Sequence, residues 1–441
     1  VNFAAIYETP SGCLLPHVLC CTLMLYSLNC LNMKELNHAI KPSLLRALML
    51  LCVGCIALSV AASKPVDDFV ASRNTNPSSV SVYVYDLKKK RMTEGYNESV
   101  PLIPASITKA LTVATTLLST GIDYQYHTRV YYDGKVEGNV LNGNLIVFGS
   151  GDPSLGSRKE PKSANFAEEI VGALKRKGIT SIKGQLLFDQ SCFPLPAYPD
   201  SWTDGNKRRD YGAGCYGFNY GNNAEGERAV MNPALTFDGE LRRALSRNGI
   251  AIEDNVMTQG RRTKLTEHIS PPIDDIMRSC IRCSDNMFAE AFLRTYARVN
   301  HRKGTPAEGA GMEMDYWRRQ GVDMTHVNVV DGSGLSRSNR LTAKFLGQVL
   351  QKMASNVNYV SYFPLAGQEG TLRSFLKGTP LDSYIALKTG SMSGIQCYAG
   401  YKLDYNFAPT HVVVVMVNNL SDRPALRKDV ERMLLDIFKN E

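Results

Sequence analysis

The sequence has no long run of lysine or arginine. Its 50 basic residues face 42 acidic ones across 441 positions, a net +8 that is modest for the length, and an ordinary basic surface accounts for it without any nucleic-acid partner. A second cysteine pair is missing as well. Cys280 and Cys283 form CIRC with no companion at metal spacing, so neither a zinc site nor a redox centre is supported. No internal repeat is present. The longest apolar run, Ala47 to Ala62, is shorter than the roughly 20 residues a bilayer span needs. What remains is globular in character: 44% hydrophobic and 21% charged, with material for two or three domains.

That apolar run has the logic of an export signal. Lys34, Lys41 and Arg46 precede it as a basic region, and Val60 and Ala62 place small residues before Ser63. Residues 1–32 hold four of the eleven cysteines and no clear capped helix. The expectation is that Met33 is the true start, that residues 1–32 are an over-extended reading frame, and that residues up to 62 are removed on export to the periplasm. A membrane anchor is the rival reading. A lipoprotein site at Cys55 fits less well, because Cys52 replaces the usual branched apolar residue. Cys192, Cys215, Cys280, Cys283 and Cys397 then remain. Export permits disulfides, but an odd number leaves at least one unpaired or intermolecular; core thiols and a single disulfide both stay open.

Along the chain, SVSVYVYD and the segment after a basic turn alternate as strands. PASITKALTVATTLLSTG reads as a helix stopped by Gly121. Short strands broken by Asp-Gly, Glu-Gly and Asn-Gly turns fill 126–150. A helix over NFAEEIVGALKRKGI, a strand over IKGQLLFDQS, a loop-like stretch from 190 to 233 and a helix over FDGELRRALSRNGI follow. From Pro271 two helices are interrupted at Ser284-Asp285-Asn286. A Gly/Ser loop then enters a helix with Thr342 as its cap, three strands run from 383 to 418, and PALRKDVERMLLDIF closes as a helix. The economical reading is a domain split in sequence, 63–125 with 266–441, around an inserted α+β domain over 126–265.

Three short segments carry the chemistry. Ser106 and Lys109 are three apart, so on a helix they share a side and can touch. A serine hydroxyl needs a base to become a nucleophile. A lysine serves if burial and the positive field of a helix N-terminus lower its pKa. Alone, Ser-x-x-Lys is weak evidence, since a cap followed by a surface lysine looks the same. Ser284 and Asn286, at a break between helices, offer a hydroxyl to relay protons and an amide to hold a carbonyl or the lysine. Lys388-Thr389-Gly390 ends an apolar strand, where glycine admits another chain closely and the lysine and hydroxyls can bind a carboxylate. The three in this order form the triplet of serine β-lactamases and penicillin-binding proteins.

With FGSGDPSL at 148–155, VDGSGLSRSNRLT at 330–342 and FPLAGQEGTL at 363–372, the chain from about 66 to 441 resembles the low-molecular-mass class C penicillin-binding proteins, the D-alanyl-D-alanine carboxypeptidase/endopeptidase family. The resemblance implies an α+β penicillin-binding/β-lactamase-like transpeptidase fold, an antiparallel sheet flanked by helices. It implies a periplasmic serine peptidase acting on peptidoglycan stem peptides and trapped covalently by β-lactam antibiotics, with no cofactor or metal. It leaves room for peripheral membrane or cell-wall association. It makes Ser106 the nucleophile, Lys109 its base, and Ser284 and Asn286 the opposite wall. Lys388, Thr389 and Ser391 would bind the terminal carboxylate beside Gly390, and the N–H groups of Ser106 and Ser391 would form the oxyanion hole. Asp152 is a minor candidate for the amino end of the stem peptide, though a turn-forming Asp-Pro reads as structural. Asp331 and Ser333 read as loop architecture.

One departure stands out. The family's insert usually holds a further domain, and here 190–233 is short. Two rivals remain: a β-lactamase, for which no convincing Glu-x-x-x-Asn loop is found, and a non-catalytic peptidoglycan-binding scaffold, which the intact triplet argues against.

Overall fold

The run HVVVVMV, residues 411–417, has no polar alternation, and the reason is that its strand is covered on both faces. The computed structural model describes residues 64–160, 165–255 and 260–439; the expectations for the start site and signal peptide lie outside them. Strands β1 (Val80–Asp86) and β2 (Arg91–Tyr96) come from one end of the chain. They join β11 (Ile385–Met392), β12 (Ile395–Leu403) and β13 (Pro409–Asn418) from the other. The five form one antiparallel sheet in the order β11-β12-β13-β1-β2. On β13, Val412, Val414 and Met416 enter one hydrophobic cluster, while Val413, Val415 and Val417 enter another on the opposite face, as the two-residue period of a strand requires.

Helices α2 (Thr108–Thr120), α5 (Ile273–Cys283), α6 (Asn286–Val299), α7 (Pro306–Arg319) and α8 (Ala343–Met353) lie on the first face. On the second lie α1 (Lys64–Val70) and α9 (Arg423–Ile437). Helix α2 ends where Gly121 takes φ +71, and Thr342 caps α8 by accepting from Phe345 N–H at 3.0 Å. Helix α7, with Thr305 and Glu308 forming a reciprocal cap, was not foreseen. Its signal was in the sequence all the same: a Thr-Pro start with Glu three residues on.

Between α2 and α5 the chain builds two four-stranded sheets. One has β3 (His127–Tyr132), β6 (Leu145–Phe148), β8 (Leu186–Asp189) and β10 (Thr263–Ile269) in the order β10-β3-β6-β8. The other has β4 (Lys135–Glu137), β5 (Val140–Asn142), β7 (Ser181–Lys183) and β9 (Ala251–Glu253) in the order β9-β7-β5-β4. Helices α3 (Phe166–Arg176) and α4 (Pro233–Arg247) share a core with them. The single strand expected over IKGQLLFDQS is two, β7 and β8, in different sheets. Gly184 marks the split: a Cβ there would lie 2.1 Å from the Gly143 carbonyl oxygen, so the backbones cross too closely for any other residue.

Among the described residues the five cysteines are free thiols; Cys215, Cys280 and Cys397 are core thiols, whereas Cys192 is half-buried and Cys283 is exposed. Burial pushes the Cys192, Cys215, Cys280 and Cys397 thiols up to about 12, which leaves them neutral and inert.

Candidate active site

The segment before Ser106 is tied down at two points. Leu102 exchanges two backbone hydrogen bonds with Leu341, at 2.9 and 3.0 Å. Ile103 exchanges two more with the Asn418 side chain, at 2.9 and 3.0 Å. Ser106 then sits in a 3-10 turn, Ala105–Ile107, leading into α2 rather than inside the α-helix itself. Ala105, just ahead of it, is held in the left-handed region at φ +49, a conformation costing about 1–3 kcal/mol that persists only where the surroundings enforce it. Gly334 packs directly against it: a Cβ there would lie 1.9 Å from the Ala105 carbonyl oxygen, so only glycine fits beside this turn.

Lys109 is fully buried. Its Nζ lies 3.0 Å from Ser106 Oγ, 2.5 Å from Asn286 Oδ1 and 2.7 Å from the Ser333 carbonyl oxygen. Burial is the main cause that pulls its pKa below the ordinary lysine value, against the opposing pull of Asp331, Asp285 and Glu290. An uncharged amine has two N–H groups and one lone pair. Asn286 Oδ1 and the Ser333 carbonyl can only accept, so they take the two N–H groups, and the lone pair is left facing the Ser106 hydroxyl. That is the arrangement a general base needs.

Two acidic residues that the sequence did not single out for chemistry hold this arrangement in place. Asp331 accepts from Gly334 N–H, Ser336 N–H, Asn339 Nδ2 and Trp202 Nε1, at 2.8, 2.6, 2.7 and 2.8 Å. Glu290 accepts from Ser333 N–H at 2.8 Å and Gly332 N–H at 3.3 Å, aiming the Ser333 carbonyl at Lys109. Burial and the nearby Asp331 push the Glu290 carboxyl from 4.5 up to about 8. Between those values the unfolded chain has lost a proton that the folded chain keeps, so this group makes the fold less stable as pH rises from about 4.5 to about 8. Glu290→Gln, which cannot titrate, should flatten that fall; melting temperatures of both proteins across this range check it. Buried Glu313, also pushed up to about 8, acts in the same direction in both.

Ser284 ends α5 in the left-handed conformation, and Asp285 caps α6. Asn286 thereby opens α6, with its Oδ1 on Lys109 and its Nδ2 donating to the Tyr211 carbonyl at 2.7 Å. Asp285 accepts from Lys159 Nζ at 2.6 Å and Asn222 Nδ2 at 3.0 Å. Trp202, Tyr211 and Asn222 all come from the stretch that read as loop, so that stretch does reach the site. Composition rich in Tyr, Asn and Gly hid this, because such contacts have no periodicity to betray them.

Lys388, also buried, donates to the Thr389 carbonyl at 2.8 Å. Burial, then the neighbouring Lys109, pushes it down to about 7. Thr389 Oγ1 donates to Thr371 Oγ1 at 2.8 Å, and Ser391 Oγ to Gln396 Oε1 at 2.7 Å. Gly390 faces the Ser106 turn: a Cβ there would be 2.6 Å from the Pro104 carbonyl oxygen and 3.1 Å from Ser106 N. Gly390→Ala must therefore move the turn. A shift of this kind costs about 10²-fold in rate, and we expect acylation by benzylpenicillin to slow by about that factor with folding retained, read from stopped-time intact-mass spectra and circular dichroism.

The structure thus brings Lys109 into direct contact with both Ser106 and Asn286 and lays Gly390 against the Ser106 turn. Ser284 is two residues from Asn286 on the same turn. Asp152 is not part of this group. It is buried, and its Oδ1 accepts from Ser154 N–H and Oγ at 2.8 and 2.7 Å, the turn geometry of an Asp-Pro-Ser segment.

A model of the D-Ala-D-Ala carboxypeptidase 3 (S13) family matches residues 62–224 and 213–436. The D-alanyl-D-alanine carboxypeptidase DacB of Haemophilus influenzae is 23% identical over 431 residues, 79% of this chain and 88% of that protein. A carboxypeptidase DacB of Mycolicibacterium smegmatis is 28% identical over 328 residues, 69% of each chain. Among solved structures, penicillin binding protein 4 from Haemophilus influenzae superposes with a TM-score of 0.74 at 22% identity, covering 85% of this chain and 99% of that one. The same protein complexed with a β-lactam gives 0.67. The expected fold, α+β with an antiparallel sheet flanked by helices, is the fold found.

Proposed function

This chain belongs to the D-Ala-D-Ala carboxypeptidase 3 (S13) family, a family of hydrolases that makes it a penicillin-binding serine peptidase, and we propose that Ser106 is the residue it acylates. The observation that carries this is the 3.0 Å contact between Ser106 Oγ and a fully buried Lys109, whose pKa burial lowers. Lys109 takes the Ser106 proton as Oγ attacks the carbonyl of a peptidyl-D-Ala–D-Ala bond. The C–N bond breaks, the proton passes to the leaving amine directly or through Ser284, and D-Ala departs. Water then hydrolyses the ester, returning Ser106. The N–H groups of Ser106 and Ser391 would hold the oxyanion. Thr389 and Ser391, with charge from Lys388, would hold the terminal carboxylate, and Asn286 would serve both lysine and substrate.

Peptidoglycan stem peptides are the proposed substrate and β-lactams the proposed covalent inhibitors. Export to the periplasm, the split domain with its insert over 126–265, and any peripheral association with membrane or wall belong to the same proposal. Benzylpenicillin incubated with the folded protein should add the mass of one intact drug to the peptide containing Ser106 and release it slowly. Rapid turnover without accumulation would instead favour a β-lactamase.

A further inference from the structure

The segment FPLAGQEGTL, residues 363–372, straps two walls of the site together. Its first part runs along the start of β11. Leu387 N–H donates to the Pro364 carbonyl at 3.2 Å, and Ala366 N–H donates to the Ile385 carbonyl at 2.7 Å. Its last part, the 3-10 turn Gly370–Leu372, lies against the end of α5. Gly370 takes φ +56 there, and a Cβ on it would be 3.3 Å from the Arg282 carbonyl oxygen. Leu372 roots the strap in the core on the second face of the sheet.

Two side-chain contacts complete the link. Arg282 Nη1 pairs with Glu369 Oε2 at 3.1 Å. Arg282 Nε is buried with no hydrogen-bond partner among the described residues, so the ion pair with Glu369 is what places this guanidinium. Two residues further on, Thr371 Oγ1 accepts from Thr389 Oγ1 at 2.8 Å. One short stretch, 369–371, therefore touches both the helix that ends at Ser284 and the hydroxyl of Thr389. The Arg282 and Glu369 side chains are 37% and 32% exposed, and a pair so open to water adds little to stability. Its effect is on geometry instead. A substrate whose carbonyl lies at Ser106 must also reach Thr389 with its terminal carboxylate.

Resting on the functional reading above, we propose that Glu369 is a positioning residue. Through Arg282 and Thr371 it sets where the Thr389 hydroxyl stands relative to Ser284, and so how well the site reads a terminal carboxylate. It touches no reacting atom, and the acylation chemistry at Ser106 is the same without it.

The test compares an acyl-D-Ala–D-Ala peptide with its C-terminal amide on the wild type, E369Q, R282Q and the charge swap R282E/E369R. The wild type should favour the free carboxylate. E369Q should lower kcat/KM for that substrate by about tenfold, mostly through KM, within what a misplacement of about 1 Å costs. Turnover of the amide should be unchanged, so selectivity falls by the same factor. R282Q should match it, and the swap, which restores the pair with its polarity reversed, should recover most of the selectivity. Melting temperatures should hold throughout. A role in folding alone would depress both substrates together and lower the melting temperature, and that result overturns the proposal. So does a wild type indifferent to the carboxylate, an E369Q variant with wild-type selectivity, or a swap no better than E369Q. Benzylpenicillin separates the two levels: no acylation of the wild type sinks the functional reading itself, whereas normal acylation with selectivity unchanged in E369Q sinks only this inference.

Discussion

Ser106→Ala should abolish the benzylpenicillin adduct and lower D-Ala release by at least about four orders of magnitude. Losses of that size follow when a nucleophile is removed from a site whose groups act as a unit. The side chain deleted is small and sits in a turn anchored by Leu102 and Ile103, so the fold should be kept. The loss can then be read as chemistry. Intact-mass spectra with the drug, and chromatography of muropeptides before and after incubation, give the two readouts. Unchanged D-Ala release in the variant would assign the acyl group elsewhere.

Lys109→Met should slow acylation by about 10²- to 10⁴-fold, the contribution of a positioned base. Methionine fills a similar volume without a charge to bury, but it leaves the Asn286 Oδ1 and Ser333 carbonyl acceptors without their donor, a cost of about 1–3 kcal/mol each, so folding is checked by circular dichroism alongside. The pH profile carries the sharper information. An unfolded lysine keeps its proton to about 10.4, whereas the folded Lys109 is shifted downward by burial. Acylation should therefore rise with pH through an ionisation below the free lysine value of about 10.4 in the wild type. Lys109→Arg, which keeps its proton throughout, should stay slow at every pH and lack that rise. If Lys109→Arg follows the same rising profile as the wild type, another group is the base.

Local pattern carried much of this arrangement. Gly121, Thr342 and the alternation of 79–86 are signals between near neighbours in the chain, and they were read directly. The triplet was legible because each part has a fixed place on its element: Ser106 and Lys109 three residues apart, Gly390 on a strand that must lie flat against the turn. The second set of partners was not legible. That the Ser333 carbonyl accepts from Lys109, or that Glu290 aims it, depends on a backbone direction set by four donors converging on Asp331. The close approach of Gly334 to Ala105, from more than two hundred residues away, is likewise a tertiary contact. Neither leaves a mark in composition or period.

The contacts of Lys159, Tyr211 and Asn222 with Asp285 and Asn286 have a further consequence. One jaw of the cleft is braced from outside the five-stranded half of the molecule. Paring the chain down to that half would strip Asp285 of its counter-ion and Asn286 of its anchor, so no minimal catalyst can be cut from it by excising the middle.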